Sequence, residues 1–207
     1  TPWQEAKPEN VADFSAIAYF FGQQLQEILD VPVGMIHTSW GGSAVQAWIS
    51  KEEISKYQEV DLEDVDISKR TNQTPTALYN AMIHPLIPYT IQGALWYQGE
   101  SNRLEPELYK EQFPAMVKDW RTRWGIGDFP FYFVQIAPYW YGDTEVFATA
   151  ENSAFIRETQ LQCVDLIPNS GMAVTMDIGD KLCIGLVQYH HYVLGQTGQK
   201  VIQFLFF

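Results

Sequence analysis

The sequence contains little cysteine and histidine, with two cysteines and four histidines among 207 residues. Two cysteines are too few for a disulfide framework, so Cys163 and Cys183 are interpreted as buried thiols, with a single bridge as the alternative. No pair of histidines or cysteines has the spacing of a zinc site, and no metal is expected. The phosphate-binding patterns GxxxxGK[ST] and GxGxxG are also missing, and no cofactor is expected.

Basic residues are scarce as well, at 13 against 25 acidic residues, which gives a formal net charge of −12. Such a surface repels phosphate backbones and anionic lipid headgroups, so neither nucleic acid nor a membrane is expected as a partner. No apolar run approaches the ~20 residues that a membrane span requires. Because the chain begins at Thr1, we expect that an upstream segment has been removed, which leaves the compartment open.

Hydrophobic residues, by contrast, make up 46% of the chain and aromatic residues 14%. This content excludes disorder and is sufficient for the core of one domain that spans residues 1–207. Three- and four-residue periodicity predicts helices at residues 10–29, 108–124 and 152–163. Apolar runs that end in polar loops predict strands at residues 31–40, 90–98, 129–138 and 171–179. Residues 51–72 lack an apolar stripe and are interpreted as a solvated surface excursion.

Strands that alternate with helices predict an α/β sandwich with a mostly parallel sheet. In such sheets ligands bind beyond the carboxyl ends of the strands. This rule indicates three loops, which begin at Ser39, Gln98 and Asp177.

Two of these loops contain residues suited to acyl chemistry. Gly41 and Gly42 would let backbone N–H groups approach a ligand closely, with a plain tight turn as the alternative. Gln98 and Asn102 offer amide donors for a developing negative charge, and Glu100 could orient a neighbour. A loop that only hydrogen-bonds to itself is the alternative here.

No nucleophile and base can be identified from spacing alone. The segment 99–103 nearly matches a nucleophile elbow, but Arg103 replaces its second glycine, which argues against Ser101. His84 is interpreted as a satisfied core histidine, and His190 and His191 lie in an unusual tail.

The loops nevertheless resemble, in this order, those of carbohydrate esterases of the SGNH hydrolase superfamily, with the sialate O-acetylesterase group as the closest match. The most specific stretches are the SWGG turn and the YQGESN loop, and the resemblance covers residues 8–180. The complete matching stretches, two of which contain this turn and this loop, are FSAIAYFFGQQL, VPVGMIHTSWGGSAVQAW, LYNAMIHPLIPYTIQGALWYQGESN, PAMVKDWRTRWGIGDFPFYFVQIAPY, IRETQ and GMAVTMDIGD.

The resemblance implies a three-layer α/β/α fold that hydrolyses acetyl esters on sugars through a serine nucleophile and a histidine base. Gly41 or Gly42 would supply a backbone donor to the oxyanion. Gln98 and Asn102 would be side-chain donors or substrate contacts, and Glu100 would brace the loop. The implied partner is an O-acetylated sugar, and the implied location is periplasmic or secreted.

The chain departs from the family pattern at both ends. It contains no GQSNM-like nucleophile block, and no histidine follows DIGD where the family has its Asp-Ile-His-Pro-like block. The nucleophile and general base are therefore not identified, and residues 181–207 form an atypical tail from which His190 or His191 could reach the site. We expect an incomplete family domain whose exposed sheet edge promotes self-association.

Three functional hypotheses follow. The first is a carbohydrate O-acetylesterase fragment that lacks its nucleophile, and the second is a non-catalytic carbohydrate-binding module on the same fold. The third is an esterase whose nucleophile is Ser39, Ser43 or Ser101. The aromatic residues near the predicted loop ends would suit packing on sugar rings, with a place in the core as the alternative for most of them and as the expectation for Trp96. They are Trp40, Trp48, Trp96, Tyr97, Tyr139, Trp140 and Tyr141.

Overall fold

The structure is a computed structural model that describes residues 2–57, 72–139, 150–177 and 202–206. The helices are α1 (Pro8–Val11), α2 (Ala16–Leu29), α3 (Lys51–Ile54), α4 (Pro106–Trp124) and α5 (Ala150–Leu166). The strands are β1 (Met35–His37), β2 (Gly93–Tyr97), β3 (Phe131–Val134), β4 (Ser170–Ala173) and β5 (Ile202–Phe206). Short 3-10 turns occupy Val45–Trp48, His84–Leu86 and Glu100–Asn102, and a π-helical turn occupies Tyr79–Ile83.

The five described strands form one sheet in the order β1-β5-β2-β3-β4. β2 and β4 pair with β3 in parallel, whereas β5 is antiparallel to both β1 and β2. β1 and β2 therefore run in the same direction, with one reversed strand between them. The expected α/β fold with a mostly parallel sheet is confirmed.

β5 lies in the tail for which the sequence predicted no strand. Leu205 is paired with Ile36 on one side and with Ala94 on the other. This segment fills the space between β1 and β2, so neither of these strands has a free edge on that side. The largely apolar run 202–206 suits a central strand. The sequence around it, however, does not indicate the strands with which it pairs.

Helices cover both faces of the sheet. On one face, α2 packs through Ala18 onto Tyr97, with Met35, Leu95 and Val134 around this contact. On the other face, α4 and α5 pack over Trp96, Phe131 and Phe133 in the main core. The predicted three-layer arrangement is therefore present in the described part of the chain.

Trp96 lies at the centre of the main core. Its ring packs near those of Trp48, Phe113 and Trp120, at centroid distances of 6.2, 5.8 and 5.9 Å. Aromatic side chains of this size bury the largest apolar area per residue, so they dominate the hydrophobic stabilisation of the sheet. The expectation that Trp96 is a core residue is confirmed.

The ends of α4 follow ordinary helix signals. Pro106 occupies its first turn, where the missing N–H has no consequence, and Gly125 ends it with a φ of 64°. The observed helix matches the predicted 108–124 within two residues at its start.

α5 extends beyond the predicted 152–163 at both ends. The single helix predicted at 10–29 is wrong at its start, because α1 ends at Val11 and α2 begins only at Ala16. Each predicted strand is shorter in the structure than predicted.

The interpretation of residues 51–72 as a solvated excursion is wrong at its start. Ser50 caps α3 by accepting the N–H of Glu53, and Ile54 is completely buried. A four-residue helix is too short to show hydrophobic periodicity in the sequence. Residues 58–71 lie outside the described part of the chain. No helix among the described residues is long and apolar enough to cross a membrane.

Candidate active site

The carboxyl ends of β1, β2, β3 and β4 meet at one edge of the sheet because these strands run in the same direction. The loops that follow them are therefore neighbours, as predicted for those after β1 and β2. Asp177, which begins the third predicted loop, lies four residues beyond β4 and is exposed. Beyond residue 177 the predicted loop is outside the described residues.

The first loop, residues 38–44, turns at Gly41 and Gly42, and Gly42 has a φ of 68°. Its carbonyl groups are held by side chains from elsewhere: Asn72 donates to the Gly41 oxygen, and Ser101 donates to the Gly42 oxygen at 2.9 Å. The N–H groups of Gly41 and Gly42 donate to no acceptor within the described residues. The loop thus combines fixed carbonyls with uncommitted backbone donors.

Gln98 and Asn102 form a buried amide network behind this loop. Gln98 Nε2 donates to the Ser43 carbonyl at 3.0 Å and to Asn102 Oδ1 at 2.7 Å. Asn102 Oδ1 also accepts the N–H of Val45 at 2.9 Å, and Asn102 Nδ2 donates to Gln46 Oε1 at 3.1 Å. Both protons of the Gln98 amide are engaged, so the geometry favours a role in holding the first loop. Direct contact of either side chain with a substrate stays a prediction.

Glu100 lies in the second loop, which begins at Gln98, and only 9% of its surface is exposed. Burial raises the pKa of its carboxyl to about 6, although backbone N–H groups and Arg103 act in the opposite direction. Arg103 Nη1 donates to the Glu100 carbonyl at 3.0 Å. The predicted bracing role of Glu100 stays a prediction, and its raised pKa makes it a group that titrates near neutrality.

Gln160 on α5 links the second loop to the loop after β3. Its Nε2 donates to the Gln98 carbonyl, and its Oε1 accepts the N–H of Ile136, each at 2.9 Å. Gln160 is not among the predicted site residues, although it lies in the matching stretch IRETQ. Its position in a helix gave no signal that its side chain would reach two loops.

Helix α4 fixes the chain just after the first loop. Asp119 Oδ2 accepts the N–H of Ser50 at 3.0 Å, and Trp120 Nε1 donates to the Trp48 carbonyl at 2.9 Å. Arg123 pairs with Asp119 at 2.7 Å and with Glu52 at 2.7 Å. These bonds connect the first loop to the main core.

Of the described serines, Ser39 alone bonds to a histidine, with 2.6 Å between its Oγ and His37 Nε2. Ser43 is completely buried and accepts the indole N–H of Trp48, and Ser101 donates to the Gly42 carbonyl. The interpretation of His84 as a core histidine is wrong, because its side chain is exposed. The proline after it places it on a surface turn. His190 and His191 lie outside the described residues.

The aromatic residues near the loop ends divide into core and surface. Trp48, Trp96 and Tyr97 are at most 5% exposed, so the expectation that Trp48 and Tyr97 face a sugar is wrong. Trp40 is 57% exposed beside the first loop. Tyr139 is half-buried. Trp140 and Tyr141 lie outside the described residues.

Nothing in the described part of the chain assembles three or more histidine, cysteine, aspartate or glutamate residues into a metal-binding cluster. Cys163 is a buried free thiol, as interpreted from the sequence. Burial raises the pKa of this thiol to about 12, which makes it an inert core residue. Cys183 lies outside the described residues.

Comparison with known proteins agrees with this geometry. The sialate O-acetylesterases of Pongo abelii and Homo sapiens are 32% and 31% identical to the chain over 200 residues, which cover 86% of it and 37% of each relative. The crystal structure of a carbohydrate acetylesterase from Xanthomonas citri superposes on the chain with a TM-score of 0.77 at 36% sequence identity. The superposition covers 90% of this chain and 40% of the Xanthomonas citri chain. The chain thus spans about two fifths of the length of these relatives.

The family profile described as "Carbohydrate esterase, sialic acid-specific acetylesterase" matches residues 2–181, which include both loops and the amide network that joins them. The match extends over most of the chain and agrees with the sequence resemblance. The chain therefore belongs to the sialic acid-specific acetylesterase family of carbohydrate esterases.

Proposed function

We propose that the chain acts in a carbohydrate O-acetylesterase and that its first loop binds the carbonyl oxygen of a sugar acetyl ester. The observation that carries this proposal is that the N–H groups of Gly41 and Gly42, at the carboxyl edge of the sheet, donate to no acceptor in the described part of the chain. Acyl transfer places negative charge on the carbonyl oxygen, and donors that are already oriented stabilise that charge without reorganisation.

The network behind the loop supports this role. Asn102 Oδ1 accepts the N–H of Val45, three residues after Gly42, and Ser101 donates to the carbonyl of Gly42 within the turn, at 2.9 Å each. A loop held by buried hydrogen bonds keeps its free N–H groups aimed in one direction, which is the requirement for an oxyanion-binding site. The printed names of the matched relatives, all acetylesterases, agree with the same chemistry.

Trp40 gives the proposed site a surface for sugar. Its indole is the exposed aromatic group beside the turn, and an exposed indole face packs well on the C–H groups of a sugar ring. The substrate class we propose is an O-acetylated sugar such as a sialic acid.

The test is binding of an O-acetylated sialic acid and of its deacetylated form by the 207-residue chain, measured by calorimetry. We expect tighter binding of the acetylated form, and Trp40→Ala should raise the Kd of both forms about tenfold. The matched control is Trp3→Ala, which removes another exposed tryptophan and should change neither Kd. Equal binding of the two forms would instead support a carbohydrate-binding module.

A further inference from the structure

We propose, as an extension of the esterase function proposed above, that Gln46 is a positioning residue, which directs the side-chain amide of Asn102 toward the acetyl group of a bound sugar. Gln46 lies in the 3-10 turn that follows the first loop, and Asn102 ends the 3-10 turn of the second loop. Asn102 Nδ2 donates to Gln46 Oε1 at 3.1 Å. This bond joins the two loops at the carboxyl edge of the sheet.

The main chain determines the orientation of the Asn102 amide. The N–H of Val45 can only donate, and it lies 2.9 Å from Asn102 Oδ1, so this atom is the acceptor and Nδ2 is the donor. Gln98 Nε2 donates to the same oxygen at 2.7 Å, and the Ser43 carbonyl at 3.0 Å fixes the orientation of Gln98. An exchange of Oδ1 and Nδ2 would place donors against donors.

The orientation of Asn102 determines that of Gln46 in turn. Because Nδ2 faces Gln46 as a donor, Gln46 presents Oε1 as the acceptor. The second Nδ2 proton of Asn102 has no acceptor within the described part of the chain. By accepting one proton, Gln46 fixes the plane of the amide and leaves the other proton as an oriented donor. Donors that are oriented in advance stabilise the charge on a carbonyl oxygen without reorganisation.

The first loop itself is held without Gln46. Ser101 donates to the Gly42 carbonyl at 2.9 Å. Gln98 donates to the Ser43 carbonyl at 3.0 Å. Neither bond involves the Gln46 side chain, so its contact acts on the Asn102 amide and not on the position of the loop.

The burial of the two residues suits this division of roles. Asn102 is 2% exposed, and a hydrogen bond to a buried amide is stronger than the same bond in water. Gln46 is the one residue of the segment 43–50 that is not fully buried. Its main chain is held separately, because its carbonyl accepts the N–H of Thr76 at 3.1 Å. A substitution of Gln46 can therefore change the amide network without opening the core.

The experiment is calorimetric binding of an O-acetylated sialic acid and of its deacetylated form to the 207-residue chain and its variants. We expect the ratio of the two Kd values, which measures the preference for the acetylated form, to fall about fivefold in Gln46→Leu. Gln46→Glu should keep the ratio, because a carboxylate oxygen still accepts the Asn102 proton. The added charge acts on both sugars alike. Gln24→Leu, the same change at an exposed position of α2, should leave the ratio unchanged.

A second readout does not depend on the sugar. NMR of the free chain with isotope-labelled asparagine reports the two side-chain amide protons of Asn102. The proton that is bonded to Gln46 should shift upfield in Gln46→Leu, because it loses its acceptor, and it should not do so in Gln46→Glu.

The two readouts separate the possible failures. If the original chain prefers the acetylated sugar and Gln46→Leu keeps this preference, the positioning role is overturned and the esterase function stands. Loss of the preference in Gln46→Glu as well would also overturn it, because the cause would then be a lost contact of Gln46 Nε2. If the original chain binds both sugars equally, the proposed function is wrong, and the amide shift alone decides whether Gln46 positions Asn102.

Discussion

The carboxyl group of Glu100 is almost completely buried. Its pKa rises to about 6 because burial disfavours the charged form, so the folded chain binds this proton more tightly than the unfolded chain does. The contribution of Glu100 to the free energy of unfolding is therefore complete below a pH of about 4.5 and is lost as the pH rises through about 6.

Glu100→Gln should remove this pH dependence. The free energy of unfolding of the variant, relative to the original chain, should increase by about 2 kcal/mol between about pH 4.5 and about pH 7.5. Urea unfolding at both pH values measures this change. Glu111→Gln, which replaces an exposed glutamate, should show no such increase, and an equal increase in both variants would contradict the assignment.

Gly99 occupies a position that no side chain fits. It has a φ of 153°, and a Cβ atom there would lie 2.7 Å from Ile136 Cγ2 and 2.9 Å from Gln160 Nε2. The residue lets the second loop pass directly over α5 and the loop after β3. The hydrogen bonds of Gln160 depend on this close approach.

Gly99→Ala should therefore lower the free energy of unfolding by about 3 kcal/mol, from overpacking and backbone strain together. Gly127→Ala is the matched control, since Gly127 has a φ of 81° but no atom within 4 Å of the added Cβ. That variant should lose only the cost of strain, about 1 kcal/mol. Equal losses in thermal or urea unfolding would show that packing at Gly99 is unimportant.

At the scale of elements, α4 connects the core to the site. Its buried face carries Trp120 and Trp124, while Asp119 and Arg123 reach the segment after the first loop. The helix thus determines where residues 48–53 lie, and through them the position of the turn at Gly41 and Gly42.

Asp119→Ala should lower the free energy of unfolding by about 2 kcal/mol, because it leaves the buried N–H of Ser50 without an acceptor. Lys118→Ala, on the exposed face of the same helix, should be nearly neutral. Urea unfolding of the two variants measures the difference. A loss in Asp119→Ala no larger than in Lys118→Ala would mean that the contact to Ser50 does not stabilise the fold.

Long elements with a clear pattern could be predicted from the sequence. α4 has its proline and glycine at the expected ends, and Trp96 stands in a run too apolar to be a surface strand. Residues 51–54 and His84 could not be predicted, because a four-residue helix has no period and a single histidine has no pattern. At the site, the ends of the apolar runs located the loops of Gly41 and Gln98. The side-chain bonds of Gln160 to Gln98 and Ile136 depend on tertiary placement, which no local pattern indicates.

At the scale of the whole molecule, β5 joins two parts of the sheet. On one side are β1 and the α2 layer, and on the other are the three strands that carry the main core. Without β5, both β1 and β2 would have an unpaired edge, and unpaired edges promote pairing with other chains. Self-association through a sheet edge thus stays a prediction, and we expect it where β5 does not cover the edges of β1 and β2.

Leu205→Pro should separate the two parts. Proline removes a backbone donor from the centre of a sheet, so we expect a loss of at least about 3 kcal/mol in the free energy of unfolding and larger particles in light scattering. Leu205→Val keeps the N–H group and should retain most of the stability and the original particle size. Unchanged light scattering for the proline variant would contradict a central position for residues 202–206.

The position of β5 also has a kinetic consequence. It pairs with β1 although the paired residues are about 170 positions apart in the chain. During synthesis, the flanking strands would emerge from the ribosome long before the strand that belongs between them. Until β5 is synthesised, the facing edges of β1 and β2 would be unpaired. We therefore expect the last folding step to be slow, and chaperones to bind the chain while these edges are exposed.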